Sequence, residues 1–229
     1  MLINLQNVFY KIPNGHVIYE DLNLHVYEGD FIGVLGRNGA GKTTLIDFLM
    51  GHRPISSGKI KVLGEDPMDH QRQEKAQIFI LSHDVKIQLN YSVQNYLDFM
   101  SFFYPHYCKD TEYELLKYFS IDRNARFCSL STGQKAKAQI VCAISSHAKL
   151  ILIDEITAVL DPESRAKFFH LLKKVKTSRK ITFLLATNIA EDLNTIADKV
   201  LFIDSTKAQM YHVDEIQNLF QLGDIRKIA

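Results

Sequence analysis

The sequence predicts an α/β fold: a mostly parallel sheet with helices on both faces, an N-terminal antiparallel β region ahead of it, and a helical subdomain inserted within it. Short apolar runs carry the first part. Residues 31–35, 77–81, 149–153, 181–186 and 199–203 are each bounded by turn residues and separated by polar or helix-compatible stretches. Such alternation builds parallel sheets. It stops between residues 93 and 146, where three helical patterns follow one another with no convincing strand. Residues 2–30 hold β-like runs at 2–9 and 22–26, with turns at Pro13-Asn14-Gly15 and Glu28-Gly29-Asp30. Further along, 45–50 and 67–75 read as helix-compatible, 54–58 as a loop and 59–63 as a strand. Residues 162–176 and 189–197 read as the helices between the later strands, and 213–229 as at most a short terminal helix. The expected organisation is one domain over 1–229 with a helical insertion from about 84 to 146.

Composition bounds the rest. A chain of 229 residues, 46% apolar, can bury a sizeable core, and 23% charged residues argue against disorder. With 27 basic and 26 acidic residues, no general attraction draws it to nucleic acid or anionic lipid. The basic cluster Lys173, Lys174, Lys176, Arg179 and Lys180 reads as a solvated helix end. Cys108, Cys128 and Cys142 are odd in number and lack C-x-x-C spacing, as expected of reduced thiols in the cytosol. No stretch approaches 18 consecutive apolar residues, and the first ten lack a signal-peptide pattern. The expectation is no direct membrane insertion, so any membrane role comes through a partner.

The stretch FIGVLGRNGAGKTTLIDFLM, residues 31–50, is the most informative. Gly36, Gly41, Lys42 and Thr43 match G-x-x-x-x-G-K-[ST] between an apolar strand and a helix. Glycines let consecutive N–H groups converge on phosphate oxygens at the positive end of the following helix. Lys42 supplies a point charge for β- and γ-phosphates, and Thr43 a hard oxygen for Mg²⁺. At ordinary glycine frequency the pattern arises by chance in about one such chain per hundred. A nucleoside triphosphate is the ligand it fits.

Two further pieces gain meaning from that loop. Residues 150–155, LILIDE, form an apolar strand tipped by two carboxylates. On a strand beside the phosphate-loop strand, Asp154 can hold Mg²⁺ and Glu155 can polarise a water. Residues 130–134, LSTGQ, come a helix's length earlier. Ser131 suits a helix N-cap, which leaves N–H groups and a hydroxyl to receive an anion.

In order and spacing, residues 36–44, 130–134, 150–155 and 158–161 resemble the P-loop, signature motif, Walker B motif and D-loop of ABC-type ATPase domains. The resemblance covers nearly the whole chain. The texture of SVQNYLDFMSFFYPHY, residues 92–107, is similar to nucleotide-binding subunits of ABC-2-type bacterial exporters. The resemblance implies a P-loop NTPase core, with ATP and Mg²⁺ as cofactors. It implies an ATPase coupling ATP-driven dimerisation to a transmembrane permease at the cytoplasmic face of the membrane. Lys42 and the backbone of Gly36, Arg37, Asn38, Gly39, Ala40, Gly41 and Thr43 would hold the phosphates, and Thr44 an α-phosphate oxygen. Thr43 and Asp154 would hold Mg²⁺, and Glu155 would be the general base. A second nucleotide-binding subunit, identical or not, would meet this one head to tail. Ser131, Gly133 and Gln134 would then act on its nucleotide, with Asp161 at the contact.

Four positions depart from the family pattern. Ile12 stands where an aromatic commonly stacks on adenine, with Tyr10 two residues earlier as the other candidate. His83 replaces the Q-loop glutamine, and imidazole is a poorer Mg²⁺ ligand than an amide carbonyl. Thr132 replaces the first signature glycine, and Asn188 the histidine that contacts the γ-phosphate. Asn can donate and accept but carries no charge, so slow hydrolysis with intact ATP binding is expected. The competing reading is a nucleotide-gated regulatory or structural subunit, which could pair with an active ATPase. A guanine-reading Asn-Lys-x-Asp motif is absent, as is the long coiled-coil insertion of DNA-repair relatives. The aromatics Tyr96, Phe99, Phe102, Phe103, Tyr104 and Tyr107 read as helix core, with any surplus forming a groove for a permease helix.

Overall fold

The computed structural model describes residues 1–82, 90–194 and 196–215. Nine strands form two sheets among the described residues. β1 (Ile3–Lys11), β2 (Val17–Val26) and β4 (Ser57–Val62) make a three-stranded antiparallel sheet in the order β2-β1-β4. A six-stranded sheet runs β5 (Ile78–Ser82), β6 (Leu150–Asp154), β7 (Thr182–Thr187), β3 (Phe31–Gly36), β8 (Lys199–Asp204), β9 (Lys207–His212). All its pairings are parallel except β8 with β9.

Side-chain alternation along buried strands explains the layers, because successive residues point to opposite faces. Phe31 and Leu35 face one core together with Ile151, Ile153, Phe183 and Leu185. That core is closed by α3 (Val93–Ser101), α4 (Lys109–Tyr118), α5 (Thr132–Ser145) and α6 (Pro162–Arg179). Ile32 and Val34 face the other core, closed by α1 (Lys42–Leu49) and the antiparallel sheet. Among the described residues, the second face is thus covered by α1 together with the small sheet. Gly33 on β3 is needed for packing: a Cβ there would come within 2.7 Å of Leu193 on α7 (Glu191–Asn194).

Several local expectations shift. β2 begins at Val17 because the turn closes tightly, with Ile12 N–H donating to His16 O at 3.0 Å and Gly15 at a φ of 91°. α2 (Arg72–Lys75) occupies only the end of the helix-compatible 67–75 stretch, and α7 spans four residues of 189–197. β9 had no sequence signal: KAQMYH has a weakly alternating, half-exposed pattern, and its partnership with β8 makes it a strand. Only 213–215 of the terminal stretch lie within the described residues, and these are helical. β6 is not next to β3, since β7 lies between them. α1 reaches across, contacting β3, β7 and β6.

The aromatic run divides. Tyr96 is buried edge-on against Phe127, Tyr104 packs on Phe79, and Tyr107 donates to Glu112 at 2.6 Å. Phe99, Phe102 and Phe103 are 52%, 72% and 43% exposed, and Phe103 meets each of the other two edge to face. No helix among the described residues is long and apolar enough to cross a membrane.

Candidate functional site

Parallel strands deliver their C-terminal ends to one edge, where ligands bind in open α/β sheets. Gly36, Asp154 and Thr187 end β3, β6 and β7 at that edge. The turn from Arg37 to Gly41 follows β3, with Gly39 and Gly41 at φ values of 83° and 106° that side chains rarely adopt. A Cβ on Gly41 would also lie 2.7 Å from Ile18 Cγ2. The turn is held from behind by Tyr19, a buried residue of β2 whose hydroxyl donates to Gly41 O at 2.9 Å. Burial raises the Tyr19 pKa well above the usual phenol value, so it stays a donor. Sequence reading missed Tyr19; its place in the β-favouring run Val17-Ile18-Tyr19 was the available signal.

Lys42 opens α1 with its side chain only 4% exposed. Its ammonium donates to Gly36 O at 2.9 Å and Arg37 O at 3.0 Å, and pairs with Glu155 Oε1 at 3.2 Å. Next to it, Thr43 Oγ1 donates to Asp154 Oδ2 at 3.0 Å. The P-loop lysine and threonine thus each touch one of the two strand-end carboxylates. Glu155 has a left-handed backbone, φ 51°, fixed by its N–H donating to Ala186 O at 3.0 Å. A non-glycine residue there is strained by about 1 kcal/mol or more, and such strain concentrates at functional sites. Asn188, one residue beyond β7, donates from Nδ2 to Asn38 Oδ1 at 3.3 Å. That contact joins the γ-phosphate candidate to the phosphate loop.

Ser131 caps α5 as expected. Its hydroxyl accepts from Gln134 N–H at 3.2 Å, and the Gln134 side chain accepts from Ser131 N–H at 2.9 Å. Ser131, Thr132 and Gln134 are exposed. No hydrogen bond or ion pair among the described residues ties Ser131, Gly133 or Gln134 to residues 36–44. Gly133 sits close under the 3₁₀ turn Ile156–Val159, where a Cβ would lie 3.1 Å from Val159 O. Asp161 caps α6, accepting from the Ser164 N–H at 2.9 Å and hydroxyl at 2.5 Å, with Lys137 at 3.5 Å. Those Ser164 bonds, then Lys137, hold the Asp161 carboxyl down at about 2.

Two expectations change or fall away. Tyr10 is not free to stack on a base: it is 6% exposed, packs edge-on against Phe48, and its hydroxyl accepts from Arg53 at 3.0 Å. Ile12 is half-buried beside the same core. His83 lies outside the described residues.

Residues 19–158 match the model of the family described as ABC transporter. The methionine import ATP-binding protein MetN of Clostridium tetani is 29% identical over 232 residues, 95% of this chain and 71% of that protein. Nod factor export ATP-binding protein I of Rhizobium leguminosarum bv. viciae is 29% identical over 200 residues, 85% of this chain and 64% of that protein. A solved structure described as the ATP binding subunit of an ABC transporter superposes with a TM-score of 0.86 at 21% identity, covering 97% of this chain and 94% of that one. The chain belongs to the ABC transporter family, as an ATP-binding and ATP-hydrolysing subunit.

Proposed function

We propose that this subunit powers a bacterial exporter of the ABC-2 type, with residues 1–229 as a single nucleotide-binding domain and the helical insertion at about 84–146 facing a permease at the cytoplasmic side of the membrane. The likeness to a Nod factor export protein and the exposed Phe99, Phe102 and Phe103 support export and permease docking. The observation that carries the site is the double link of P-loop to strand-end carboxylates, Lys42 to Glu155 at 3.2 Å and Thr43 to Asp154 at 3.0 Å.

The residues fit Mg-ATP. The Thr43 hydroxyl and Asp154 carboxylate offer two hard oxygens, the donor set Mg²⁺ takes. When bound, Mg²⁺ neutralises charge on the β- and γ-phosphate oxygens. The backbone of residues 36–43 supplies N–H groups, Lys42 a fixed positive charge, and Thr44 a hydroxyl for the α-phosphate. Ile12 offers an apolar surface to the base, without the stacking an aromatic ring provides. Glu155 accepts the proton of the attacking water, and Asn188 orients the γ-phosphate by hydrogen bonding alone. Exposed Ser131, Gln134 and Asp161, with the half-buried Gly133 between the first two, complete the nucleotide site of a second subunit arranged head to tail.

Glu155→Gln tests the assignment. ATP binding is expected to survive while turnover falls on the order of a hundredfold or more. Unaltered turnover would remove Glu155 as the base. A second reading, a nucleotide-gated subunit with little turnover, is favoured by Asn188, whose amide pairs with Asn38 and cannot carry charge.

A further inference from the structure

Asp192 lies outside every motif considered so far, yet four donor contacts converge on its carboxylate. Its side chain is 1% exposed. Oδ2 accepts from the Thr157 hydroxyl at 2.7 Å and from the Thr187 hydroxyl at 3.4 Å. Oδ1 accepts from Arg165 Nε at 2.7 Å and also from Arg165 Nη2. A buried carboxylate is tolerated only when its oxygens are saturated in this way.

The donors come from three separate elements of the site edge. Thr157 sits in the turn two residues after Glu155, and Thr187 immediately precedes Asn188. Arg165 lies one helical turn beyond Asp161, donating its N–H to Asp161 O at 2.9 Å. Thr187 is held twice, because its hydroxyl also accepts from Ile189 N–H at 3.0 Å across Asn188. Each donor therefore stands within four residues of a group assigned to ATP chemistry or to the subunit contact.

We infer that Asp192 is a positioning residue: its carboxylate locks the Glu155 turn, the Asn188 loop and the start of α6 into one rigid unit. The inference rests on the roles given above to Glu155 and Asn188. Neither catalytic side chain touches Asp192, so it acts through the backbone segments that carry them. Small displacements of reacting groups cost large rate factors, whereas the Thr157, Thr187 and Arg165 bonds to Asp192 do not involve residues 36–43, which hold the phosphates.

The test is Asp192→Asn in the full chain, with Mg-ATP affinity measured by titration and turnover measured at saturating Mg-ATP. Turnover is expected to fall about tenfold or more while the dissociation constant changes less than about threefold. Asp192→Glu, which keeps the charge, is expected to recover part of the rate. Turnover within twofold of wild type overturns the inference, as does a parallel loss of binding and turnover in folded protein. Should Asp192→Asn not fold, Thr157→Val removes one donor without breaking the Arg165 pair and carries the same expectation. Glu155→Gln measured alongside separates the two failures. If Glu155→Gln retains full turnover, the parent assignment fails. If it is dead while Asp192→Asn and Thr157→Val are unaffected, only the positioning role fails.

Discussion

Asn188 meets Asn38 at 3.3 Å, at the place where the resemblance implies a histidine against the γ-phosphate. An amide can hold an oxygen through a neutral hydrogen bond but cannot add positive charge as negative charge shifts during phosphoryl transfer. Replacing it by histidine introduces a side chain titrating near 6.5 that can supply that charge. Asn188→His is expected to raise turnover severalfold and to impose a dependence on pH around that value, absent in the wild type. Steady-state ATPase rates of both proteins across pH 5.5–8 check this; a fast wild-type rate that the substitution leaves alone would remove the idea of a slowed site. Lys42 shows the opposite case, a residue whose role follows from its identity. A buried ammonium needs acceptors, and it has two carbonyls and Glu155.

Among the elements, the phosphate-binding turn and α6 make the clearest demands. Gly41 combines a φ of 106° with a tight approach of Ile18 and the Tyr19 hydroxyl. Gly41→Ala should therefore cost about 1–3 kcal/mol through backbone strain and displace the turn. The expected readout is a lowered melting temperature with ATP binding weakened at least as strongly. α6 carries a pH dependence through its cap. The Asp161 carboxyl is depressed to about 2 in the fold, below the usual value near 3.9, chiefly by its bonds from Ser164. A depressed acid stabilises the fold above its unfolded value and loses that effect as pH falls through the folded one. The cap's contribution should be complete above about pH 4 and fade toward pH 2. Comparing melts of wild type and Asp161→Asn over that range should show their difference shrinking as the pH drops.

For the whole molecule, the composite site predicts association that depends on nucleotide. Ser131, Thr132 and Gln134 present a capped helix end to solvent, with Gly133 between them and no tie to the chain's own phosphate loop among the described residues. Glu155→Gln saturated with Mg-ATP is expected to sediment as a dimer and to return to monomer when ATP is removed. A monomer at saturating Mg-ATP would contradict head-to-tail pairing.

The sequence by itself determined the chemistry. Gly36–Lys42 spacing, the apolar strand ending in Asp154 and Glu155, and the Ser131 cap are local patterns, because phosphate loops, strand tips and helix starts are built from consecutive residues. Most strands and long helices were legible for the same reason, their hydrophobic period being written along the chain. Tertiary structure alone decided what depends on neighbours distant in sequence. β7 is inserted between β6 and β3, so α1 must cross it for Thr43 to reach Asp154. β9 exists because β8 offers it an edge, and Tyr10 is taken by Phe48 and Arg53 rather than left for a base. Tyr19 behind the phosphate loop and Asp192 beneath three loop ends have no motif to announce them. Their partners lie up to 35 residues away, and only folding brings such donors and acceptors within hydrogen-bonding distance.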